Sequence, residues 1–491
     1  MSRGRLVVHA HFYQPSRVDP FSGRLPADAS AAPFRDWNAR TMAECYRLNA
    51  ELGLLSRASW DLGPTLSSYL AEEAPDVLTA FRACDVRGGG KDNGPGIAQA
   101  FHHAILPLAP LHDRRTEIRW GLRDFEVRFG RRPTAIWLPE TAVDLPTLRI
   151  LAEEGVTGTI LAPWQADTPH LDARLPYRVD VGGGRHIAVA FYDGGLSGSI
   201  SFEPSITADA DRFARERIAP RLAGALADGT APMLVIASDG ELYGHHQRFR
   251  DLFLQRLVAP SADTPDRGYD VVTISEVLAE LPGHPHPEIR IHERTSWSCH
   301  HGVLRWSGEC ADAPDGRWKG PLRAALERLA GGIDTITENL ARDLPGLDDV
   351  WASRDRYVDV VLGVTSPDTF AKTELGPRSD QVQRDRLLRL MEAQRWRLGM
   401  FASCGWFWDD PSRPETHQVL QSSARAVRLV DELAGTDLER RLIADLGLFE
   451  SPALGIDGAT IYRQALGLAG QHPPRDEDHR LAGGRTSDPR G

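Results

Sequence analysis

Two short stretches decide the fold: residues 136–140, which read Ile-Trp-Leu-Pro-Glu, and residues 237–241, which read Ala-Ser-Asp-Gly-Glu. Each completes an apolar run, at 134–138 and at 233–237, of the kind that forms an interior parallel strand. A proline or a glycine then ends the strand, so an acidic residue falls at its carboxyl end. Barrel enzymes keep catalytic acids at that position, and two such carboxylates suggest glycoside hydrolysis.

Strand-like and helix-like segments alternate outward from these two stretches. Strands are predicted at residues 5–12, 59–62, 134–138, 157–161, 186–192, 233–237 and 269–272. Between the strands, residues 145–154 and 209–226 carry apolar side chains at helical spacing. Seven or so strands arranged in this way predict an α/β fold, an incomplete (β/α)7 TIM-like barrel.

An open doubly wound sheet is the main rival architecture. It usually carries a phosphate-binding glycine loop, and the only candidate is Gly-Gly-Gly-Lys-Asp at residues 88–92. This stretch lacks a serine or threonine after its lysine and follows no obvious strand. We therefore interpret it as a surface or cleft-edge loop, which favours the barrel.

The sequence pattern changes near residue 285. Residues 1–285 form the predicted barrel, and 286–320 read as a linker and aromatic-rich segment in which Trp297 and Trp306 could form a lid. Helical spacing then dominates at 321–340, 350–363, 381–402 and 416–434, which predicts a mainly helical C-terminal domain over 321–470. Residues 471–491 are rich in Pro, Gly, Asp and Arg and are expected to be disordered.

Composition narrows the possible partners. The 491-residue chain has a formal net charge of -11, which disfavours nucleic acid or an anionic membrane as the main partner and favours a neutral polar substrate. No apolar run approaches the roughly 20 residues needed to span a bilayer. Five sparse cysteines and the absence of a secretory hydrophobic region predict a cytoplasmic protein with reduced thiols.

The first predicted strand carries His9 and His11, which alternation sends to the same face near the strand's carboxyl end. A His-x-His pair opens many metal sites, but those sites usually add a nearby aspartate, and none follows before Asp19. We favour binding of substrate hydroxyls over a metal or two core histidines, because a neutral imidazole both donates and accepts hydrogen bonds.

A second histidine pair, His102 and His103, interrupts an apolar segment, and only one of the two can face inward. A packed structural histidine is the more common outcome at such a position. For Glu140 and Asp239 the structural alternative is a carboxylate that caps a helix N-terminus. That alternative is strongest for Glu140, which lies just ahead of a predicted helix.

Aromatic residues and a cysteine–histidine group add further candidates. Trp137, Trp406 and Trp408 are the preferred sugar-stacking side chains, although most tryptophans are core residues. The stretch 299–301, Cys-His-His, with Cys310 contains residue types that bind zinc, but adjacent Cys-His-His cannot easily converge on one centre. We expect a reduced cysteine pair and predict no metal ligands and no cofactor.

Four motifs occur in a characteristic order. They are His-x-His-Phe-Tyr-Gln-Pro at 9–15, His-Ala-Ile-Leu-Pro at 103–107, Trp-Leu-Pro-Glu at 137–140 and Ser-Asp-Gly-Glu-x-Tyr-Gly at 238–244. This order resembles glycoside hydrolase family 57, whose members are retaining enzymes acting mainly on α-glucans and are built on an incomplete (β/α)7 barrel. The C-terminal part resembles an uncharacterised domain that accompanies a bacterial branch of that family.

The resemblance implies a role for Glu140 as nucleophile and for Asp239 as general acid/base. It also implies that His11 and His103 are subsite residues. Further candidate substrate-binding residues are His9, Gln14, Glu241, Tyr243 and His246, with the three tryptophans named above. Glu241 could either share the site or turn outward.

Three hypotheses remain open from the sequence. The first is a retaining hydrolase or transferase that acts on an oligo- or polysaccharide, in the first place an α-glucan. The second is a metal-dependent barrel enzyme like the polysaccharide deacetylases, and the third is a glycan-binding protein without activity. The sequence leaves the exact glycan and the oligomeric state open.

Overall fold

The computed structural model describes residues 3–89, 93–224, 226, 231–281 and 286–467. Several expectations fall on stretches outside these ranges: the end of the glycine-rich loop at 90–92, the end of the helix predicted over 209–226, the proline- and histidine-rich stretch at 282–285, and the tail at 471–491. No helix in the described ranges is long and apolar enough to cross a membrane.

The described residues form nine strands. They are β1 (Gly4–Phe12), β2 (Ser59–Leu62), β3 (Gly96–Gln99), β4 (Ile136–Trp137), β5 (Gly158–Leu161), β6 (Pro176–Gly182), β7 (Arg185–Phe191), β8 (Met233–Asp239) and β9 (Tyr269–Val271). One parallel sheet has the order β4-β3-β2-β1-β8, with β9 also paired to β1, and a second sheet has the order β5-β7-β6.

Two backbone contacts join the sheets into a seven-stranded ring. On one side, Ala135 beside β4 forms a parallel bridge with Gly158 of β5. On the other side, the Asp193 amide, just after β7, donates to the Val235 carbonyl of β8 at 2.8 Å. The ring therefore runs β1-β2-β3-β4-β5-β7-β8, and the predicted (β/α)7-type fold is confirmed.

The α-helices of the described residues divide between the barrel and the C-terminal region. Those of the barrel region are α1 (Trp37–Thr41), α2 (Arg47–Glu51), α3 (Pro64–Glu73), α4 (Pro75–Gly89), α5 (Leu111–Phe129), α6 (Leu145–Glu153), α7 (Gly194–Phe202), α8 (Ala210–Phe213), α9 (Arg250–Leu257) and α10 (Ile274–Glu280). Those of the C-terminal region are α11 (Lys319–Arg342), α12 (Val350–Arg356), α13 (Val358–Val361), α14 (Pro367–Leu375), α15 (Gln381–Gly399), α16 (Cys404–Phe407), α17 (Pro414–Ala434), α18 (Leu438–Leu446) and α19 (Gly458–Ala465).

The C-terminal region is mainly helical, as predicted, and its buried apolar side chains form one cluster that Ile105 and Ala142 of the barrel region join. Long amphipathic helices such as α11 and α17 bury one face each, and the fully buried rings of Trp306, Trp318 and Trp406 lie in this core. Trp306 therefore does not belong to a lid. Its indole is packed away from solvent because the turn that carries it, Leu304–Trp306, lies directly on the helical core.

Residues 286–320 are held against the barrel at several points. Isolated bridges join Arg178 to Glu288, Ala166 to Ile291 and Val143 to Thr295. Since these bridges run along the carboxyl-terminal side of β4 and its neighbours, they bring the next residues, 296–298, towards the barrel mouth. The segment predicted as a linker is thus a wall of the site.

A buried ionic network joins α5 of the barrel to the helical region. The Asp113 carboxylate pairs with Arg354 at 2.8 Å and also with Arg397, which in turn reaches Asp334 at 2.6 Å. Asp113, Arg354 and Arg397 are almost fully buried. Each of these charges is therefore compensated by a neighbour rather than by water.

Candidate active site

The carboxyl ends of the barrel strands bring polar side chains together in one cleft. His11 of β1 lies in register with Asp61 of β2 and with Asp239 of β8. Gln99 ends β3, and Glu140 follows β4 within a short 3₁₀ turn, Pro139–Thr141. Because parallel strands end at the same edge, residues far apart in sequence meet here.

Asp61 is the hub of the cleft floor. Its carboxylate contacts His9 Nε2 at 2.9 Å and His11 Nδ1 at 2.9 Å, and it accepts a bond from the Gln99 side chain. Burial works against an ionised carboxyl, but the two histidines more than offset it and hold the pKa of Asp61 below its usual range. The sequence near His9 and His11 contains no aspartate that could pair with them, and Asp61, 50 residues from His11, takes that place in the structure.

His11 is a cation at neutral pH. Burial disfavours its charged form, but the charge and hydrogen bond of Asp61 outweigh burial and raise the pKa of His11 to about 9. Asp239 and Glu241 add to the rise. His11 thus places one positive charge among several carboxylates.

Glu140 has an unusual backbone and a firmly held side chain. It has φ 57°, and the next residue, Thr141, has φ 47°, a left-handed conformation that is costly for a β-branched residue. The buried Gln165 side chain holds Thr141, donating to its carbonyl at 2.8 Å and accepting from its hydroxyl at 3.0 Å. This backbone turns the Glu140 side chain back over the barrel mouth.

Two donors from the 286–320 segment meet the Glu140 carboxylate. Trp297 Nε1 donates at 3.0 Å and Ser298 Oγ at 2.6 Å, both to Oε2. Burial raises the pKa of Glu140, the two donors lower it, and the charge of Asp239 raises it further. The net pKa is above the usual value, so the donors favour the ionised form against burial.

Asp239 and Glu241 differ sharply in environment. Asp239 is the last residue of β8, which ends two residues later than predicted, and its side chain is exposed. Glu241 is buried and accepts from the Tyr46 hydroxyl at 2.5 Å and the Tyr13 amide at 3.3 Å. Burial raises the pKa of Glu241 to about 7, although the Tyr46 bond opposes the rise.

His103 joins the helical region to the cleft. Its Nδ1 lies 2.6 Å from the Ser403 hydroxyl, and its ring stacks on Tyr13 with centroids 3.8 Å apart. Burial and the nearby positive charge of His11 hold the pKa of His103 well below its usual value. His103 is therefore neutral, with a ring nitrogen that can donate or accept a hydrogen bond.

Several residues predicted to bind substrate are buried beneath the cleft. Trp137 is 0% exposed and stacks on His9 and His11 at 4.8 and 5.1 Å, so its ring is unavailable to a sugar. His9 is also fully buried. Tyr243 is buried with its hydroxyl on Ser238 at 3.1 Å, and Trp406 lies in the helical core. The burial of these four side chains argues against the predicted direct contact with a substrate.

The other predicted residues are at least partly accessible. Gln14 is half-buried and accepts from Arg17 at 3.0 Å. His246 is exposed in the loop after β8, and Trp408 is 40% exposed with the Arg413 guanidinium over its ring at 4.3 Å. The sugar-binding roles of all three stay predictions.

Sequence reasoning missed some members of the site. Asp61 had a readable signal, because it is an acidic residue close to the carboxyl end of a strand-like run. Gln99, Tyr46, Gln165 and Ser298 had none, because each is significant only through a partner distant in sequence. Both rings of the His9–His11 pair contact Asp61, the aspartate that is missing from the neighbouring sequence, and the absence of a metal there stays a prediction.

Two protein families match the chain. The profile of glycosyl hydrolase family 57 matches residues 41–290, about half of the sequence. That of a domain of unknown function, DUF3536, matches residues 315–469. A search of curated proteins gives no match. The predicted resemblance and the uncharacterised C-terminal domain are both confirmed by these matches.

Known structures share the fold. The exo-type maltose-forming amylase of Pyrococcus sp. ST04 aligns with a TM-score of 0.72 and 14% identity, over 94% of this chain and 88% of its own. The branching enzyme of Pyrococcus horikoshii aligns at 0.57 and 16%, over 96% and 98%. The 4-alpha-glucanotransferase of Thermococcus litoralis aligns at 0.54 and 16%, over 86% of this chain and 60% of its own. Identities this low establish the fold alone.

Proposed function

The chain belongs to glycosyl hydrolase family 57, and from that premise we propose that it acts on α-glucans by a retaining mechanism. Membership makes it a glycoside hydrolase or transglycosylase. The substrate class is inferred from the fold neighbours, which are an amylase, a branching enzyme and a glucanotransferase. The residues of the cleft must then supply a nucleophile and a general acid/base.

Glu140 is proposed as the nucleophile. The observation that carries this role is the pair of donors, Trp297 and Ser298, on one carboxylate oxygen. They favour the ionised form while Oε1 makes no hydrogen bond to the described residues and is left for attack on the anomeric carbon. The left-handed turn at Glu140 and Thr141 supports the role, since such strain is maintained mainly at functional sites.

Asp239 is proposed as the general acid/base. Its exposed side chain reaches the cleft, whereas Glu241 is buried behind Tyr46 and is poorly placed to meet a leaving group. In the first step Asp239 protonates the departing glycosidic oxygen while Glu140 bonds to the anomeric carbon. In the second step Asp239 takes a proton from water or an acceptor hydroxyl, whose oxygen displaces Glu140.

His11 and Asp61 are proposed to set the charge balance beneath the sugar. The protonated His11 offsets the negative charge of Asp61, and its charge lowers the pKa of Glu140, which favours an ionised nucleophile. A retaining mechanism requires the two reacting carboxyl groups about 5 to 5.5 Å apart. Its first step needs the nucleophile ionised and the acid protonated, and a cation near Glu140 favours the first of these two states.

Product analysis tests the proposal. Wild-type protein, Glu140→Ala and Glu117→Ala would be incubated with maltoheptaose and amylose, and the products separated by chain length. Glu117 is a matched control because it is a buried carboxylate that also holds a histidine, His102, at 2.7 Å. Wild type and Glu117→Ala should give the same products, and Glu140→Ala should give none.

Each product pattern has a distinct meaning. Longer and shorter oligosaccharides together would identify a transferase, and shorter ones alone a hydrolase. Intact substrates with wild-type protein would overturn the α-glucan proposal. An activity that Glu140→Ala retains but a chelator abolishes would instead favour the metal-dependent alternative, because a retaining enzyme that lacks its nucleophile should be inactive.

A further inference from the structure

Four potential metal ligands converge beside the segment that holds Glu140. Among the described residues, Cys299, His301, Cys310 and Asp312 form the one group of three or more ligand atoms that all lie within 4.8 Å of one another. Cys299 Sγ lies 3.4 Å from Cys310 Sγ, which lies 3.3 Å from His301 Nδ1. His301 Nδ1 in turn lies 3.3 Å from Asp312 Oδ2.

Two tight turns of the same design present these side chains. In residues 299–302 the Gly302 amide donates to the Cys299 carbonyl at 3.2 Å, and in 310–313 the Ala313 amide donates to the Cys310 carbonyl at 2.9 Å. Each turn therefore offers a cysteine at its first position and a second ligand two residues later. Gly302, with φ 75°, permits the first turn to close.

The spacing Cys-His-His does not prevent convergence, contrary to our expectation from the sequence. The chain skips His300, whose side chain is 88% exposed, and uses His301 instead. His300 touches the group only from outside: its backbone amide and its Nδ1 lie 2.7 and 3.4 Å from Asp312 Oδ2. The two turns thus combine as a Cys-x-His and a Cys-x-Asp pair.

Three of the six ligand separations are close to those of a tetrahedral zinc site, and all six lie within 4.8 Å. Bonds of about 2.3 Å to sulfur and about 2.0–2.1 Å to nitrogen and oxygen put tetrahedral ligand atoms roughly 3.3–3.8 Å apart. The three measured neighbour distances, 3.3–3.4 Å, lie at the lower end of this range. Two thiolates with an imidazole and a carboxylate are donors that zinc accepts, and four protein ligands are typical of a structural site.

A buried lysine lies beside the two cysteines. Lys319 is fully buried, and its Nζ makes no hydrogen bond to the described residues. Burial lowers the pKa of Lys319 to about 8, while the negative charges of Asp409, Cys310 and Cys299 act in the opposite direction. Zn²⁺ with two thiolates and one carboxylate carries a net charge of about -1, which the Lys319 ammonium would neutralise.

We propose that Cys299, His301, Cys310 and Asp312 bind one structural zinc ion. Its position suggests a purpose, because Cys299 directly follows Ser298 in the chain. The ion would fix the turn that holds Trp297 and Ser298 against the Glu140 carboxylate. This second part of the inference, the effect on activity, rests on the proposed function, whereas metal binding does not.

Metal titration of the full chain tests the binding. Purified protein is stripped with a chelator under reducing conditions, then titrated with Zn²⁺ and with Co²⁺, whose thiolate charge-transfer absorption reports cysteine ligation. Wild type should bind about one ion per chain. Cys299→Ser and His301→Gln should weaken zinc binding by more than about 100-fold, since even changes outside the ligand set cost 10–100-fold.

His300→Gln is the matched control. It alters the neighbouring histidine in the same turn, whose Nδ1 only flanks Asp312 at 3.4 Å, and it should weaken zinc binding far less than His301→Gln does. Circular dichroism verifies that each variant is folded, and Asp312→Asn provides a milder ligand change if the cysteine variant does not fold. Failure of reduced wild-type protein to bind zinc, or equal losses in His300→Gln and His301→Gln, would overturn the site.

Activity separates this inference from the proposed function. Stripped wild-type protein should lose most of its α-glucan activity and recover it with added zinc, while His300→Gln behaves as wild type. Stoichiometric zinc without any α-glucan activity would leave the metal site standing and refute the proposed function. Full activity in a metal-free His301→Gln protein would refute the coupling between the ion and Glu140.

Discussion

Replacement of Asp61 by asparagine should lower the pKa of His11, so that its imidazole loses the extra proton near neutral pH. In the native protein, Asp61 keeps the imidazolium in a buried position and raises the pKa of His11 from 6.5 to about 9. That difference is equivalent to about 3 kcal/mol in favour of the charged form. Without the carboxylate, burial dominates, and we expect the pKa of His11 to fall to near 6.5 or below.

The raised pKa of His11 also predicts how the stability of the protein depends on pH. A histidine whose pKa is raised by folding stabilises the protein fully below its unfolded pKa, near 6.5, and loses that contribution as the pH rises through about 9. The stability lost by Asp61→Asn should therefore be largest at about pH 6 and smaller by about 3 kcal/mol at about pH 9.5. Asp61 itself stays ionised over this range.

NMR titration of histidine-labelled protein measures the pKa directly, and urea unfolding at the two pH values measures the stability difference. Glu117→Gln is the control, since it removes a different histidine–carboxylate contact and should leave the His11 titration unchanged. The reasoning is refuted if His11 of the wild type titrates near 6.5, or if its pKa stays near 9 in Asp61→Asn.

Three other substitutions have defined outcomes. Ser298→Ala removes a donor from the Glu140 carboxylate, so the pKa of Glu140 should rise and kcat/KM fall by about 10- to 100-fold, with the acid limb of the pH profile at higher pH. Tyr46→Phe removes a bond that lowers the pKa of Glu241, so this carboxyl should titrate above about 7, as infrared difference spectra can measure. Asp113→Asn leaves two buried arginines without their partner and should destabilise the chain by about 3–5 kcal/mol in urea unfolding.

The first and the third of these substitutions have matched controls. Ser307→Ala removes a hydroxyl that bonds only within its own turn and should leave kcat/KM unchanged. Asp359→Asn breaks a half-exposed ion pair with Arg123 and should cost no more than about 1 kcal/mol. A Ser298→Ala enzyme with an unshifted acid limb, or an Asp113→Asn protein as stable as Asp359→Asn, would contradict the structural account.

The barrel could be predicted because most of its strands are continuous apolar runs. β6 was missed although Tyr177, Val179 and Val181 alternate with exposed residues, a signal of a half-buried strand. The sequence signal for β3 was weaker, because its four residues follow a proline and include a glycine. The helical region was predictable from spacing, because long amphipathic helices such as α11 and α17 need few distant contacts to be identified.

The site was predictable only in part. Local motifs predicted roles for Glu140, Asp239, His11 and His103, because each lies at or just beyond the end of a strand or interrupts an apolar segment, and these roles stay predictions. The burial of Trp137 was not predictable, because it depends on histidines from another strand. The convergence of Cys299 and Asp312 likewise depends on how two turns pack, which spacing alone does not determine.

Trapping of a glycosyl-enzyme intermediate tests the central claim most directly. Asp239→Asn would be mixed with α-maltosyl fluoride, whose leaving group needs no protonation, so the first step proceeds while the second lacks its base. Peptide mass spectrometry should then find one maltosyl unit bonded to Glu140, and none in the double variant Glu140→Gln/Asp239→Asn. A maltosyl unit on another carboxylate, such as Asp61 or Glu241, would contradict the assignment of Glu140 as nucleophile.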